Sequence, residues 1–312
     1  MGFEIRAAAP DDAVGIAAVW AAAMPHLVKT ARGVEAELRT NSSRIVLIAV
    51  EDEKVVGYGN VYLPPPGTPD GSRLRVTVQV PPADRGRGIG GALTEAITRA
   101  ATEAGGGGLL IVVSDDDESR RFAASHGFTL TRQMSHARAE LNQLPEPAAV
   151  PDDLRLVDFD DVDPHRLWEA WGAVAGGDPS GLSNTPEYDE WLAADWHHPD
   201  LRHDLSIALL AEDGSVVSFV STTADAERKV IWSNLTGTIP AYRGRGLAKV
   251  VKSVALARSR DAGLVTAFTG NDSNNVPMLA VNRWLGYQVT AGAWTAVRIL
   301  TPPHHPGQEK AL

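Results

Sequence analysis

A strand-like run, a glycine-rich turn and a helix-like run follow one another twice in this chain, and that repetition constrains its fold more than any other feature. In the first copy residues 74–80 read as strand. The turn Arg85-Gly86-Arg87-Gly88-Ile89-Gly90 follows, then a helical pattern with Leu93, Ile97 and Ala100 that stops at Gly105. In the second copy residues 230–239 lead through Pro240 to the turn Arg243-Gly244-Arg245-Gly246-Leu247-Ala248 and a helix reaching Asp261. Such a unit aims unpaired backbone N–H groups and a helix N-terminus at a phosphate. Three landmarks recur at near-constant distance: Val55-Val56 and Val216-Val217 (offset 161), Arg85 and Arg243 (158), Gly127-Phe128 and Gly286-Tyr287 (159). Near-constant spacing across three features implies a duplicated domain.

The rest of the chain fits two copies of one plan. Asp11 and Asp12 suit the start of a first helix, and residues 44–50 and 55–62 read as a hairpin around Glu51 to Lys54. A Pro/Gly loop spans 64–72, residues 109–113 read as a central apolar strand, and a short helix over 119–126 ends at Gly127. Three prolines in residues 141–151 mark a linker. The series then repeats: Asp163-Pro164 as a helix start, a Trp-rich polar region to about His203, a hairpin around Asp213-Gly214, strand, turn, helix, strand over 264–269, helix over 277–285 and strand from Tyr287. The expected domains are 1–140 and 152–312, joined by 141–151. The 312-residue length gives each its own core.

Composition excludes several function classes. Cysteine is absent, which removes disulfides, thiolate metal sites and a Cys nucleophile; no metal site is expected. The net charge of 29 − 39 = −10 argues against a nucleic-acid surface and suits a cationic small substrate as well as simple solubility. With no membrane-length apolar run and no basic, then apolar, leader, the expectation is a cytoplasmic protein without membrane partners.

Two other phosphate-binding turns compete. Gly86-Arg87-Gly88-Ile89-Gly90-Gly91 spells the dinucleotide fingerprint, but residues 81–85 separate it from its strand, Lys249 replaces the last glycine in the second copy, and the preceding strands look antiparallel. Neither turn has the Gly-Lys-Ser/Thr ending of a Walker A loop.

The two turns match Arg/Gln-x-x-Gly-x-Gly/Ala. The second half adds Asn271, Asn275, Met278, Asn282 and Leu285-Gly286-Tyr287 in an Asn-x3-Asn-x2-Met-x3-Asn-x2-Leu-Gly-Tyr pattern. On these residues the chain resembles a tandem member of the Gcn5-related N-acetyltransferase superfamily, motif by motif over about 76–128 and 234–289. The resemblance implies an α+β fold: two acetyltransferase-type domains, each a mostly antiparallel, splayed sheet flanked by helices. It implies acetyl-coenzyme A as co-substrate, with Thr238, Ile239, Arg243, Gly244, Arg245, Gly246, Leu247, Ala248, Asn271 and Asn275 binding it in the second half. Val80, Arg85, Gly86, Arg87, Gly88, Ile89 and Gly90 are their first-half counterparts.

Acyl transfer to an amine needs a polarised thioester carbonyl, a neutral amine and a stabilised leaving thiolate. A backbone N–H near Val80 or Thr238 suits the first task. The tyrosine that serves the leaving thiolate in many relatives is replaced by Ala123 in the first half and Asn282 in the second, and asparagine can donate a hydrogen bond but no proton. The acidic run Asp115 to Glu118 would repel the cofactor's phosphates. The C-terminal half is therefore expected to be catalytic, with Asn282, Asn275 and Thr238 at its centre, although the asparagines suit helix capping equally well. Candidate bases are Glu190, His197, His198, Asp225 and Glu227. Trp168, Trp171, Trp191 and Trp196 fit a core or an acceptor wall, and His304-His305 a loose tail. The expected protein is a monomeric or homodimeric N-acyltransferase acting on a small amine such as an amino sugar, an amino-acid conjugate or an antibiotic. The other reading is a non-catalytic acyl-coenzyme A-binding scaffold.

Overall fold

The computed structural model describes residues 2–40, 43–64, 71–177, 182 and 185–300. Most of the Pro/Gly loop and the His304-His305 tail lie outside the described residues. The first half runs β1 (Glu4–Ala7), α1 (Ala13–Ala23), α2 (Ala31–Thr40), β2 (Arg44–Glu51), β3 (Lys54–Tyr62), β4 (Arg73–Gln79), α3 (Ile89–Glu103), β5 (Gly108–Ser114), α4 (Asp117–Ser125) and β6 (Thr129–Glu140). The second runs β7 (Arg155–Asp158), α5 (Pro164–Ala175), α6 (Tyr188–Trp191), β8 (Ile207–Leu210), β9 (Val216–Asp225), β10 (Val230–Thr238), α7 (Leu247–Asp261), β11 (Thr266–Asp272), α8 (Val276–Trp284) and β12 (Gln288–Ile299). Both hairpins and both strand–turn–helix units stand where the sequence pattern places them.

The halves do not keep separate sheets. Among the described residues twelve strands form one sheet in the order β1-β2-β3-β4-β5-β12-β6-β11-β10-β9-β8-β7. Each half gives its last strand to the other: β12 pairs antiparallel with β5, and β6 with β11, while β6 and β12 pair with each other at the centre. The cores follow the exchange. Ala296 of β12 packs with Leu109 and Val113 of the first half, and Ala137 and Ala139 of β6 pack with Ile231 and Leu256 of the second. The linker is no loose tether either: Leu141 is fully buried and the Ala148 N–H donates to Ser253 Oγ at 3.0 Å.

The parallel strands of each half separate partway along. β4 pairs with β5 only over Arg73 to Arg75, and β10 with β11 only over Val230 to Ser233. In the second half a bulge between Ser233 and Thr236 breaks the register of β10 against β9 where β11 departs. An extra residue on one strand bends it, so this bulge opens a cleft between β10 and β11.

Across the sheet face the helical regions of the two halves meet. Asp200, 2% exposed, accepts hydrogen bonds from the backbone N–H and the hydroxyl of Thr30 at the start of α2. Glu37 of α2 pairs with Lys29, Arg44 and His198, and Arg228 reaches the carbonyls of Pro25 and Leu27. No helix among the described residues is long and apolar enough to cross a membrane.

Candidate active site

The second glycine turn leaves a row of backbone N–H groups without backbone partners among the described residues, at a helix N-terminus. Gly244 and Gly246 have φ of +80° and +75°, a region costly for residues with a Cβ, and a Cβ on either would meet nothing within 4 Å, so both face open space. Among the described residues the N–H groups of Gly244 through Ala248 donate to no backbone carbonyl, which leaves five donors converging at the N-terminus of the fifteen-residue α7. Arg243 Nε ties the turn to the Thr238 carbonyl at 3.1 Å, and Arg245 turns away to Asp153.

This turn opens on a cavity of about 1170 Å³ that enters the β10–β11 cleft. Thr238, Arg243, Gly244, Gly246, Leu247, Ala248, Asn271 and Asn275 line it; Ile239 and Arg245 do not. The cavity continues past Trp232, His136 and Met134 to the first half's splay at Arg75, Val76 and Ile111. A smaller cavity of about 250 Å³ shares Trp171, Asp195 and Asn234 with it and is walled by Phe159, Trp191 and Trp196. Of the four expected tryptophans, Trp191 and Trp196 are thus both core and cavity wall.

The first turn has the same backbone, with Gly86 and Gly88 at positive φ and Arg85 Nε on the Val80 carbonyl at 3.3 Å, yet none of Val80 or 85–90 lines either cavity. A Cβ at Gly90 would stand 3.1 Å from the Phe122 ring and 3.8 Å from Val80, so Phe122 of α4 closes against the turn. The residue 159 further on is Val281, which lines the large cavity. Arg87 is bound to Glu51 and Asp84, and Arg85 to Glu118. Asp116 caps α4 through the Ser119 N–H at 2.8 Å, and Asp115 and Asp117 hold Arg120, so the acidic run is largely spent on local structure.

The second-half asparagines form a chain with a residue that no sequence motif singles out. Lys252 Nζ donates to Asn282 Oδ1 at 2.8 Å, and Asn282 Nδ2 donates to Asn271 Oδ1 at 2.6 Å. Asn275 caps α8, its Oδ1 accepting from the Met278 N–H at 3.3 Å, while also lining the cavity. Burial lowers the Lys252 amine to about 7. Its signal in the sequence is a lysine on the apolar face of a helix, among Val250, Val251, Ala255 and Leu256, where the first half has Thr94.

None of the five expected bases lines the large cavity. Glu190, His197 and Glu227 are exposed, Asp225 is tied to Arg228 at the β9–β10 turn, and His198 faces Glu37 in the smaller cavity. The cavity instead presents Asp195, the one carboxylate among the described residues common to both cavities, which burial pushes up to about 6. It also presents His136, which burial lowers to about 4 and so keeps neutral. Asp195 sits in a short π-helical turn after α6 with no motif around it, and His136 belongs to the strand exchanged from the other half; no sequence pattern marks either.

A doubled splayed α/β unit, each copy with a glycine turn capping a helix, defines the class. The chain belongs to the Acetyltransferase (GNAT) family, which it matches over residues 15–128 and again over 167–287. It is an N-acetyltransferase with acetyl-coenzyme A as co-substrate. It is similar to the mycothiol acetyltransferase of Thermomonospora curvata, with 29% identity over 86% of each chain. It shares 30% identity with that of Segniliparus rotundus over 72% of this chain and 85% of the other. In fold it resembles a tandem GNAT protein from the clavulanic acid biosynthesis pathway, at TM-score 0.73 and 19% identity over 96% of this chain and 99% of the other.

Proposed function

We propose that the C-terminal half carries the working site and passes the acetyl group directly from acetyl-coenzyme A to the amine of a small molecule, while the N-terminal half serves as a wall of the acceptor cavity. The observation that carries this reading is that the large cavity incorporates the second glycine turn and bypasses the first. The relatives named for mycothiol support an acceptor of small-molecule size.

In this reading the free N–H groups of 244–248 and the α7 N-terminus hold the pyrophosphate, where a partly buried helix terminus contributes up to ~2 kcal/mol. The pantetheine arm enters the β10–β11 cleft, which places the thioester near Asn271 and Thr238. The acceptor approaches from the Trp-lined side. Asp195 takes the amine's proton, its carboxyl being poised near working pH by burial. The amine lone pair attacks the carbonyl carbon, the C–S bond breaks, and sulfur leaves with the bonding pair.

Acetyl-coenzyme A is offered with a primary-amine panel that includes phenethylamine and glucosamine, and free thiol is read out. Amine-dependent thiol release is expected. Gly246→Trp, which fills the cradle, should cut turnover at least about a hundredfold, while Gly88→Trp should leave it within about threefold. The reverse pattern assigns the site to the N-terminal half. Tight acetyl-coenzyme A binding with no amine-dependent release refutes the small-amine acceptor.

A further inference from the structure

Lys252 is the only lysine buried among the described residues, at 1% exposure, and no carboxylate there is bonded to it. Its ammonium has one hydrogen-bond acceptor, Asn282 Oδ1, and the Tyr287 ring 5.0 Å away. Burial holds that phenol far above neutral, and Lys249, three residues earlier on the same helix, lies over Trp284. Ser233 of β10 meets Tyr287 at 3.5 Å and carries no charge. A buried cation with so little compensation is costly, and such groups cluster where they are used.

The chemistry of the donors fixes the direction of the whole chain. An ammonium donates and never accepts. Asn282 must therefore turn its oxygen to Lys252 and its NH₂ to Asn271. Asn271 must then turn its own oxygen to Asn282, and its NH₂ has no partner among the described residues. Asn271 lines the large cavity, so the chain ends in N–H groups offered to whatever fills the β10–β11 cleft. In the first half the three positions 158 or 159 residues earlier hold Thr94, Ala123 and Val113. Thr94 spends its hydroxyl on the Gly90 carbonyl, and alanine and valine have no side-chain polar atom with which to extend a chain.

We propose that Lys252 is a positioning residue for acetyl transfer: its ammonium sets the polarity of the Asn282–Asn271 amide chain so that Asn271 donates to the sulfur as it leaves. This rests on the C-terminal assignment made above. When the C–S bond breaks, sulfur carries the electron pair, and an N–H donor polarised by a buried cation stabilises that charge without transferring a proton. The thiolate takes its proton afterwards from water, balancing the one lost by the amine. Neutralising Lys252 releases the constraint, because a free amine can accept as well as donate, and Asn282 can then turn over. Burial lowers that amine to about 7, so the chain's polarity weakens on the alkaline side.

The test uses the full-length protein, acetyl-coenzyme A and the panel amine with the highest wild-type turnover. Lys252→Met should lower kcat about ten- to a hundredfold, leave the KM for acetyl-coenzyme A within about threefold, and remove the alkaline fall of kcat that the wild type shows. Asn282→Asp keeps a partner for Lys252 but cannot donate to Asn271, and should lose kcat to the same degree even if Lys252→Met folds poorly. The double variant should fall no further than either single one. A rise in KM with kcat unchanged would move the role to ground-state binding of the pantetheine arm and overturn the proposal, as would additive losses or a wild type without an alkaline fall. A wild type without turnover, or one indifferent to Gly246→Trp, is the separate failure of the C-terminal assignment.

Discussion

Replacing Lys252 with methionine should change the sign of its effect on stability with pH. In the unfolded chain this amine titrates at 10.5; buried in α7 it titrates at about 7. Between those values the unfolded chain holds a proton that the folded protein does not, so wild-type stability rises with pH across that window. Well below pH 7 both states hold the proton, and the folded state carries the full cost of a buried charge. That cost is roughly 4–5 kcal/mol at about pH 6 and falls to about 1 kcal/mol near pH 10, at ~1.36 kcal/mol per pH unit. Methionine fills similar volume without charge but leaves Asn282 Oδ1 without a donor, costing about 1–3 kcal/mol at every pH. The variant should therefore be more stable than wild type by roughly 2–3 kcal/mol near pH 6 and less stable by about 1 kcal/mol near pH 10. At about 2 °C per kcal/mol for a chain of this size, the difference in Tm should swing by roughly 8 °C between those conditions. Differential scanning fluorimetry of both proteins in matched buffers reads it directly. A Tm difference that stays constant with pH would refute the depressed titration of Lys252, and with it the reason for its cost.

Two further outcomes test other parts of the site. Asp195→Asn should lower kcat/KM at least about tenfold and remove the acid limb near pH 6, where the wild-type rate should rise as the carboxyl loses its proton; a pH–rate profile with the limb intact would assign the base elsewhere. Val281→Phe should reproduce in the second half the closure that Phe122 makes in the first, weakening acetyl-coenzyme A binding in calorimetry by at least about tenfold, or ~1.4 kcal/mol, with little change in Tm.

The motif half of the site is legible in the sequence because its chemistry is local. A turn that needs positive φ writes glycine into the chain, so the spacing of Gly244 and Gly246 is enough to mark the turn and the helix start behind it. Asn275 and Asp163 are readable as helix starts for the same reason: a cap acts two or three residues from itself. Asp12 shows the limit of such local reading, since its carboxylate turns back to Arg6 and the Ala9 N–H without capping the α1 backbone. The five expected bases miss the large cavity because a base is selected by position across the fold, and residue type alone does not say that Asp195 reaches both cavities while Glu190 faces Ser43.

By itself, then, the sequence determined the duplication, the strand–turn–helix units and the family, all of which depend on spacing within tens of residues. The tertiary structure alone decided that β6 and β12 change places, because an antiparallel edge accepts a strand from either half with the same backbone hydrogen bonds. It decided that Phe122 closes one turn and Val281 leaves the other open, since a difference in side-chain volume matters only once the opposing wall is in place. And it decided that a lone lysine on an apolar helix face, which hydropathy alone counts as a misfit, meets Asn282 thirty residues on and directs a chain of amides into the cleft.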